Sequence, residues 1–186
     1  NYDIIYDSGT ASDIINDTDI LGLVSGQKFG YSVDLNYDGT RLVVSSNSNN
    51  YVKVYEKLNS NWIQLGQDIV QGSTVCINGV GNRIAVRVGN SVNVYDFING
   101  SWNLSSSNQM SNYNANYGYD ISLNYLGDRI IVGQIGSNNT GDTQWGNVYC
   151  YDISGSTWTQ LGITFSGGSY AASSSSVIWL GYSVDI

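Results

Sequence analysis

Between Gly30 and Asn36 the chain alternates, with Tyr31, Val33 and Leu35 on one side and Ser32, Asp34 and Asn36 on the other. A period of two predicts a half-buried β-strand. The alternation stops at Asn36-Tyr-Asp-Gly39, where an Asp-Gly pair between β-formers predicts a hairpin. A second strand follows at 41–44, a third at 51–55 and a fourth at 62–66, separated by clusters of Gly, Asn and Ser. No stretch repeats its apolar residues every 3.6 positions, so the chain reads as all-β.

The same series returns twice. Gly30, Gly72 and Gly118 lead Arg41, Arg83 and Arg129 by eleven residues, and Tyr55, Tyr95 and Tyr151 lead Trp62, Trp102 and Trp158 by seven. Two spacings kept in three copies predict a repeat architecture. Four antiparallel strands per copy is the size of a propeller blade. The expected fold is one domain, 1–186, a propeller-like array of about four blades, with repeats at about 30–71, 72–117 and 118–165. The fourth strand of each blade is the expected outermost one, its Trp covering the blade edge or the face between blades. Trp145 and Trp179 are expected to pack as well.

A fourth unit is assembled from 177–186 and 1–27. Read from Ile186 into Asn1, the chain matches the nine positions from Gly30 with one change, Ile186 for Leu35. This predicts either a blade closed by both ends of one chain or one period of a longer array. The unit lacks the fourth-strand Trp and the Tyr-to-Trp spacing, and 166–176 reads as a long surface loop.

Charge narrows the partners. Charged residues make up 12% of the chain and the net charge is −8, with seven scattered Lys and Arg. No basic stripe is available for nucleic acid or an anionic membrane surface, and no apolar run is long enough for a spanning helix. Asn, Ser, Gly and Tyr carry the polar surface, which suits an extracellular or cell-surface setting. Cys76 and Cys150 read as small buried hydrophobes, with a disulfide between neighbouring repeats as the alternative.

No catalytic constellation is present. The chain has no His, no phosphate-binding Gly-rich loop and no nucleophile elbow, and its one Glu, Glu56, is expected in solvent beside Tyr55. The expectation is that it is not an enzyme. Arg41, Arg83 and Arg129 are expected as solvated strand ends flanking their turns. Sequons fall at Asn16, Asn99, Asn103 and Asn138, with Asn99 and Asn138 expected in exposed loops.

A Phe-Gly-x-Ser-Val strand from Phe29, the Asn-x-Asp-Gly turn at Asn36, the Val-x-Val-Tyr strand ending at Tyr55 and the Trp-x-x-Leu-Gly ending at Gly66 resemble the FG-GAP-like repeats of integrin-α-type propellers. The resemblance covers roughly 29–162 and the last seven residues. Tyr117-Gly118 and Leu180-Gly181 are variants of the Phe-Gly pair, and Gln71-Gly72 departs from it. The resemblance implies an extracellular protein and, in many members, Ca²⁺ held in an Asp-rich hairpin. Asp34, Asn36 and Asp38 occupy the opening ligand positions, but Leu42 and Ser45 stand where the loop should close, so a plain turn is the leading reading. No other cofactor is expected.

The leading functional expectation is a structural or adhesive repeat protein that self-associates into a filament or surface assembly. The alternative is a carbohydrate-binding module, with Tyr113, Tyr117 and Tyr119 stacking on sugar rings. A calcium-dependent adhesion domain is the third expectation.

Overall fold

The computed structural model describes residues 20, 22, 26, 28–47, 51–109, 116–135, 146–167 and 180–186, without the side chains of 70, 108 and 109. The described residues form three antiparallel sheets. The first runs β1 (Phe29–Leu35), β2 (Arg41–Ser46), β3 (Tyr51–Leu58), β4 (Asn61–Gln64), with the short β5 (Ile69–Val70) also on β3. The second runs β6 (Val75–Ile77), β7 (Arg83–Val88), β8 (Ser91–Ile98), β9 (Ser101–Gln109). The third runs β10 (Tyr117–Leu123), β11 (Arg129–Gln134), β12 (Asn147–Ser154), β13 (Thr157–Gln160), with β14 (Phe165–Ser166) on β12. These are the expected blades, with the Trp-bearing strand outermost in each.

Local chemistry explains the repeated features. Gly30 (φ +85°) and Gly118 (φ +73°) sit in matching irregularities, where the pairing slips between Phe29 and Val33 and between Tyr117 and Ile121. Only glycine enters that backbone region without strain, and the bulge turns each inner strand toward its neighbour. At Asn99-Gly100 both residues have positive φ, giving the tight turn that joins Ile98 to Ser101.

The blades stack face to face. Val43, Val52, Val54 and Ile69 of the first sheet pack on Val75, Ile77, Ile84, Val86 and Trp102 of the second. One blade later, Cys76, Ala85, Val92 and Val94 meet Tyr117, Ile121, Leu123, Ile130 and Val132, with Trp158 against the cluster. Trp102 is buried between blades and donates its ring N–H to the Leu65 carbonyl at 2.9 Å, and a Cβ at Gly66 would lie 2.9 Å from its ring. The glycine of the Trp-x-x-Leu-Gly ending is thus the seat for the next blade's Trp. Trp62 is half-buried, and Trp145 and Trp179 lie outside the described residues.

The first sheet differs in its covering. Val33 and Leu35 are 58% and 51% exposed, whereas Val75 and Ile77, their equivalents one repeat on, are each 4% exposed. Residues 180–186 form no assigned strand but lie along β10, at the position an inner strand of the expected fourth unit would take. Val184 N–H donates to Asp120 Oδ2 at 2.8 Å and Ser122 Oγ donates to Asp185 Oδ1 at 2.9 Å, repeating the link in which Val75 N–H donates to Ser32 Oγ at 3.1 Å. Residues 1–19 lie outside the described residues.

Both thiols are free: Cys76 is in the second interface, while Cys150, between Tyr149 and Tyr151 on β12, points to the opposite face of the third sheet. The disulfide alternative is therefore corrected, because the third sheet separates the two side chains.

Candidate functional site

The inner strands give the molecule two ends. At one end lie the turns that follow β1, β6 and β10. At the other lie the starts of those strands and the ends of β2, β7 and β11.

The turn end is regular. Asn36, Asn78 and Asn124 each accept the backbone N–H of Arg41, Arg83 and Arg129 through the side-chain oxygen, at 2.8, 2.8 and 3.0 Å. Asn78, fully buried, also donates to the Tyr125 carbonyl at 3.3 Å, tying its turn to the next blade. Each arginine faces an acid across the ladder. Arg41 pairs with Glu56 at 2.8 Å, Arg83 with Asp96 through Nη2 at 2.9 Å, and Arg129 with Asp152 at 2.9 Å. Arg41 and Arg83 reach further, donating to the carbonyls of Gly81 and Gly127 in the following turn at 3.0 and 2.8 Å. Tyr37 and Tyr125, from the first and third blades, meet edge to face at 5.5 Å. Arg41 and Arg83 are therefore not solvated strand ends, and Glu56 is not left to solvent; the arginine side chains are 21% and 19% exposed and staple blade to blade.

The hairpin does not gather a metal-ligand set. Asp34 accepts the N–H of Leu35 and of Ile77, both at 2.9 Å. Asn36 turns its amide nitrogen, not its oxygen, to Asp38 at 2.8 Å, and Asp38 accepts the Thr40 hydroxyl at 2.6 Å. These contacts hold Asp38 below the usual carboxylate range. Burial pushes Asp34 upward, with the charges of Asp185 and Asp120 adding to it. Among the described residues no cluster of three or more His, Cys, Asp or Glu is placed to hold a metal ion.

The other end breaks the repeat. Arg87 stands on β7 where β2 has Ser45 and β11 has Gly133. Ser45 is buried and donates to the Ser73 carbonyl, and Gly133 lies against the Gly181 backbone. Arg87 instead runs past Gly118, whose Cβ would sit 3.4 Å from its Cγ. Its Nε donates to the Gly89 carbonyl at 3.0 Å, and burial pulls its pKa down against the pull of Tyr31 and Tyr119. It lines a cleft of about 530 Å³ together with Tyr31, Asn47, Gln71, Ser73 and Val88. Tyr31 is 55% exposed, and the rings of Tyr119 and Tyr182 stand 5.1 Å apart beside it. This volume suits a small ligand, and the lining combines the Tyr31 ring with polar groups from Asn47, Gln71, Ser73 and Arg87.

The expected sugar-stacking tyrosines divide. Tyr119 is at this mouth; Tyr117 is fully buried against Tyr149 and cannot meet a sugar, because its ring fills the interface between blades. Tyr113 lies outside the described residues, as do Asn16 and Asn138. Asn99 is exposed at its turn, and Asn103 is exposed on β9, donating to the Ser101 carbonyl at 2.9 Å. The asparagine clamps escaped notice in the sequence because the Asp-Gly pair drew the turn assignment, although an Asn precedes each Arg by five residues. Arg87 carried a signal too: of four arginines, it alone falls outside the repeat frame.

No protein-family model matches the chain, and no curated protein matches it in sequence. Among solved structures it is similar to Sqt1 of Saccharomyces cerevisiae (TM-score 0.53, 14% identity, covering 76% of this chain and 36% of that one). Hsv2 of Kluyvelomyces marxianus is similar at TM-score 0.51 and 16% identity, over 73% of this chain and 36% of its own. A Bacteroides uniformis protein provisionally described as a 6-phosphogluconolactonase gives TM-score 0.51 and 10% identity, over 70% and 39%. The chain thus spans well under half the length of these relatives. The likeness establishes a β-propeller architecture and nothing finer. It corrects the FG-GAP-like assignment: the similar structures are WD40-like and lactonase-like propellers, and the short motifs that carried the resemblance fall on β1, the turn after it, β3 and β4, where they mark the strands of a blade. Among the described residues, no helix is long and apolar enough to cross a membrane.

Proposed function

We propose that this propeller repeat domain is a non-enzymatic carbohydrate-binding module, with its ligand held at the mouth formed by Tyr31, Arg87, Tyr119 and Tyr182. The observation that carries the reading is the half-exposed tyrosine cluster beside a polar cleft, where Arg87 departs from the repeat. Tyrosine rings offer a flat apolar surface to the C–H face of a sugar, while Asn47, Gln71 and Ser73 supply hydrogen-bonding groups for hydroxyls. The absence of His from the chain supports a binding role over acid–base chemistry. A glycan array probed with the purified domain and with Tyr119→Ala tests the reading. The expected result is selective binding that the substitution weakens at least tenfold with the melting temperature retained. Absence of binding to any glycan, or binding indifferent to Tyr119, overturns it.

A second reading, self-association, is favoured by the open face of the first sheet. Val33 and Leu35 are exposed where the second and third blades press their equivalent residues against a neighbour of the same repeat, so a blade face of a second copy has the matching shape. Sedimentation velocity across a wide concentration range tests it, with Val33→Glu expected to abolish any oligomer. A wild type that stays monomeric throughout removes this reading.

A further inference from the structure

We propose that the ligand of this mouth carries a carboxylate, which Arg87 binds with its guanidinium fork, making the site selective for acidic sugars such as uronic or sialic acids. The inference rests on the carbohydrate-binding reading and sharpens it.

Arg87 is set apart by what it lacks. The other three arginines are each paired with an acid, whereas Arg87 has no carboxylate partner among the described residues. Its Nε is engaged by the Gly89 carbonyl, and its two Nη groups donate to no described residue. They are not sealed from solvent either, so water or a ligand can reach them. A half-buried cation is costly unless its donors are satisfied, and in a chain of net charge −8 there was no shortage of acids to place beside it. The repeat also offers cheaper occupants for this position, since a serine and a glycine fill it in the neighbouring blades.

The ligand's charge follows from the surroundings. A single guanidinium matches a carboxylate in charge and in bidentate geometry. No Lys and no second Arg lines the cleft, so the single guanidinium neutralises one carboxylate in full, whereas a phosphate dianion at the same point keeps an unneutralised charge. The tyrosines on either side supply the sugar-facing surface, and Arg87 supplies selection by charge.

The test uses the whole chain and four probes: trigalacturonate, N-acetylneuraminic acid and the methyl ester of each, titrated by isothermal calorimetry into wild type, Arg87→Gln and Arg87→Lys. At least one acid should bind, the two acids together distinguishing a uronic from a sialic source. For a uronic ligand the ester should lose at least tenfold; for a sialic one the methyl ester of N-acetylneuraminic acid takes that place. Arg87→Gln should erase the acid's advantage, and Arg87→Lys should fall between, because it keeps the charge and loses the fork. Circular dichroism melting of both variants confirms that the fold is retained. Equal binding of acid and ester, or a preference unchanged in Arg87→Gln, overturns the carboxylate proposal and leaves carbohydrate binding standing. If neither the acids nor the esters bind at millimolar concentration and the glycan array is also blank, both fall together.

Discussion

The two ends of the inner strands are built by opposite rules. At the turn end the same three contacts recur blade after blade: an asparagine closes the turn, an arginine meets its acid, and in the first two blades that arginine reaches the next turn. At the mouth the equivalent positions hold Ser45, Arg87 and Gly133, three side chains with nothing in common, and the one arginine has its Nη donors unspent. Repetition marks what every blade needs in order to stack. Departure from it, where it places an unpaired charge beside exposed rings, marks what the molecule does only once. Stability should therefore reside at the turn end and ligand affinity at the mouth.

The sharpest way to break this contrast is at Asn78. Replacing it with Ala leaves the Arg83 N–H without its buried acceptor and cuts the link to the Tyr125 carbonyl, so Asn78→Ala should cost about 2–4 kcal/mol in urea denaturation. Arg87→Gln, by contrast, should change stability by less than about 1 kcal/mol while removing acidic-sugar binding, because it gives up one backbone contact and sheds a desolvated charge. A mouth variant that unfolds the protein would collapse the distinction.

Within the turn end, the staples should grade by cover. Arg83→Ala loses both Asp96 and the next blade's carbonyl in a mostly covered site, and should cost about 1–3 kcal/mol. Arg129→Ala breaks a pair that is 46% and 45% exposed, and should lower the urea midpoint clearly less than Arg83→Ala does. Equal losses would show that the inter-blade reach contributes nothing.

The smallest effect is a pH dependence at Asp34, between the two ends. Burial raises its folded pKa above the unfolded value, so the native state holds the proton more tightly and stability falls as pH rises through the raised pKa. Asp34→Asn removes that titration. The stability of wild type relative to the variant should thus be greatest below the ordinary carboxylate range, decline above it and then level off. Urea midpoints from pH 3 to 7 measure this; a flat or rising difference contradicts it.

Much of the fold was legible because blades are local. Alternation from Tyr31 to Leu35, the Asp-Gly turn and the Tyr-to-Trp spacing specify strands whose partners are next in sequence, and the four strands of each sheet pair in chain order, with only the short β5 and β14 skipping back to β3 and β12. The inter-blade role of Trp102 followed from its bulk. Arg41, Arg83 and Glu56 were misjudged because their partners lie across a ladder or in the following turn, about forty residues away, and no periodicity within one blade reports a contact to the next. Tyr117 and Tyr119 differ by two positions yet have opposite fates, one filling an interface and one at the mouth, since the bulge at Gly118 resets the alternation between them. The mouth stayed invisible for a related reason: Tyr31, Arg87 and Tyr119 come from three blades, and only the stacking brings them together.

The most direct test is a two-dimensional ¹H–¹⁵N NMR titration of the domain with trigalacturonate and, separately, N-acetylneuraminic acid. Shifts confined to Tyr31, Ser73, Arg87 to Gly89, Tyr119 and Tyr182, with Asn36, Asn78 and Asn124 unmoved, are the predicted result. Shifts centred on the three turns, or none from either acid at saturating concentration, would contradict the account.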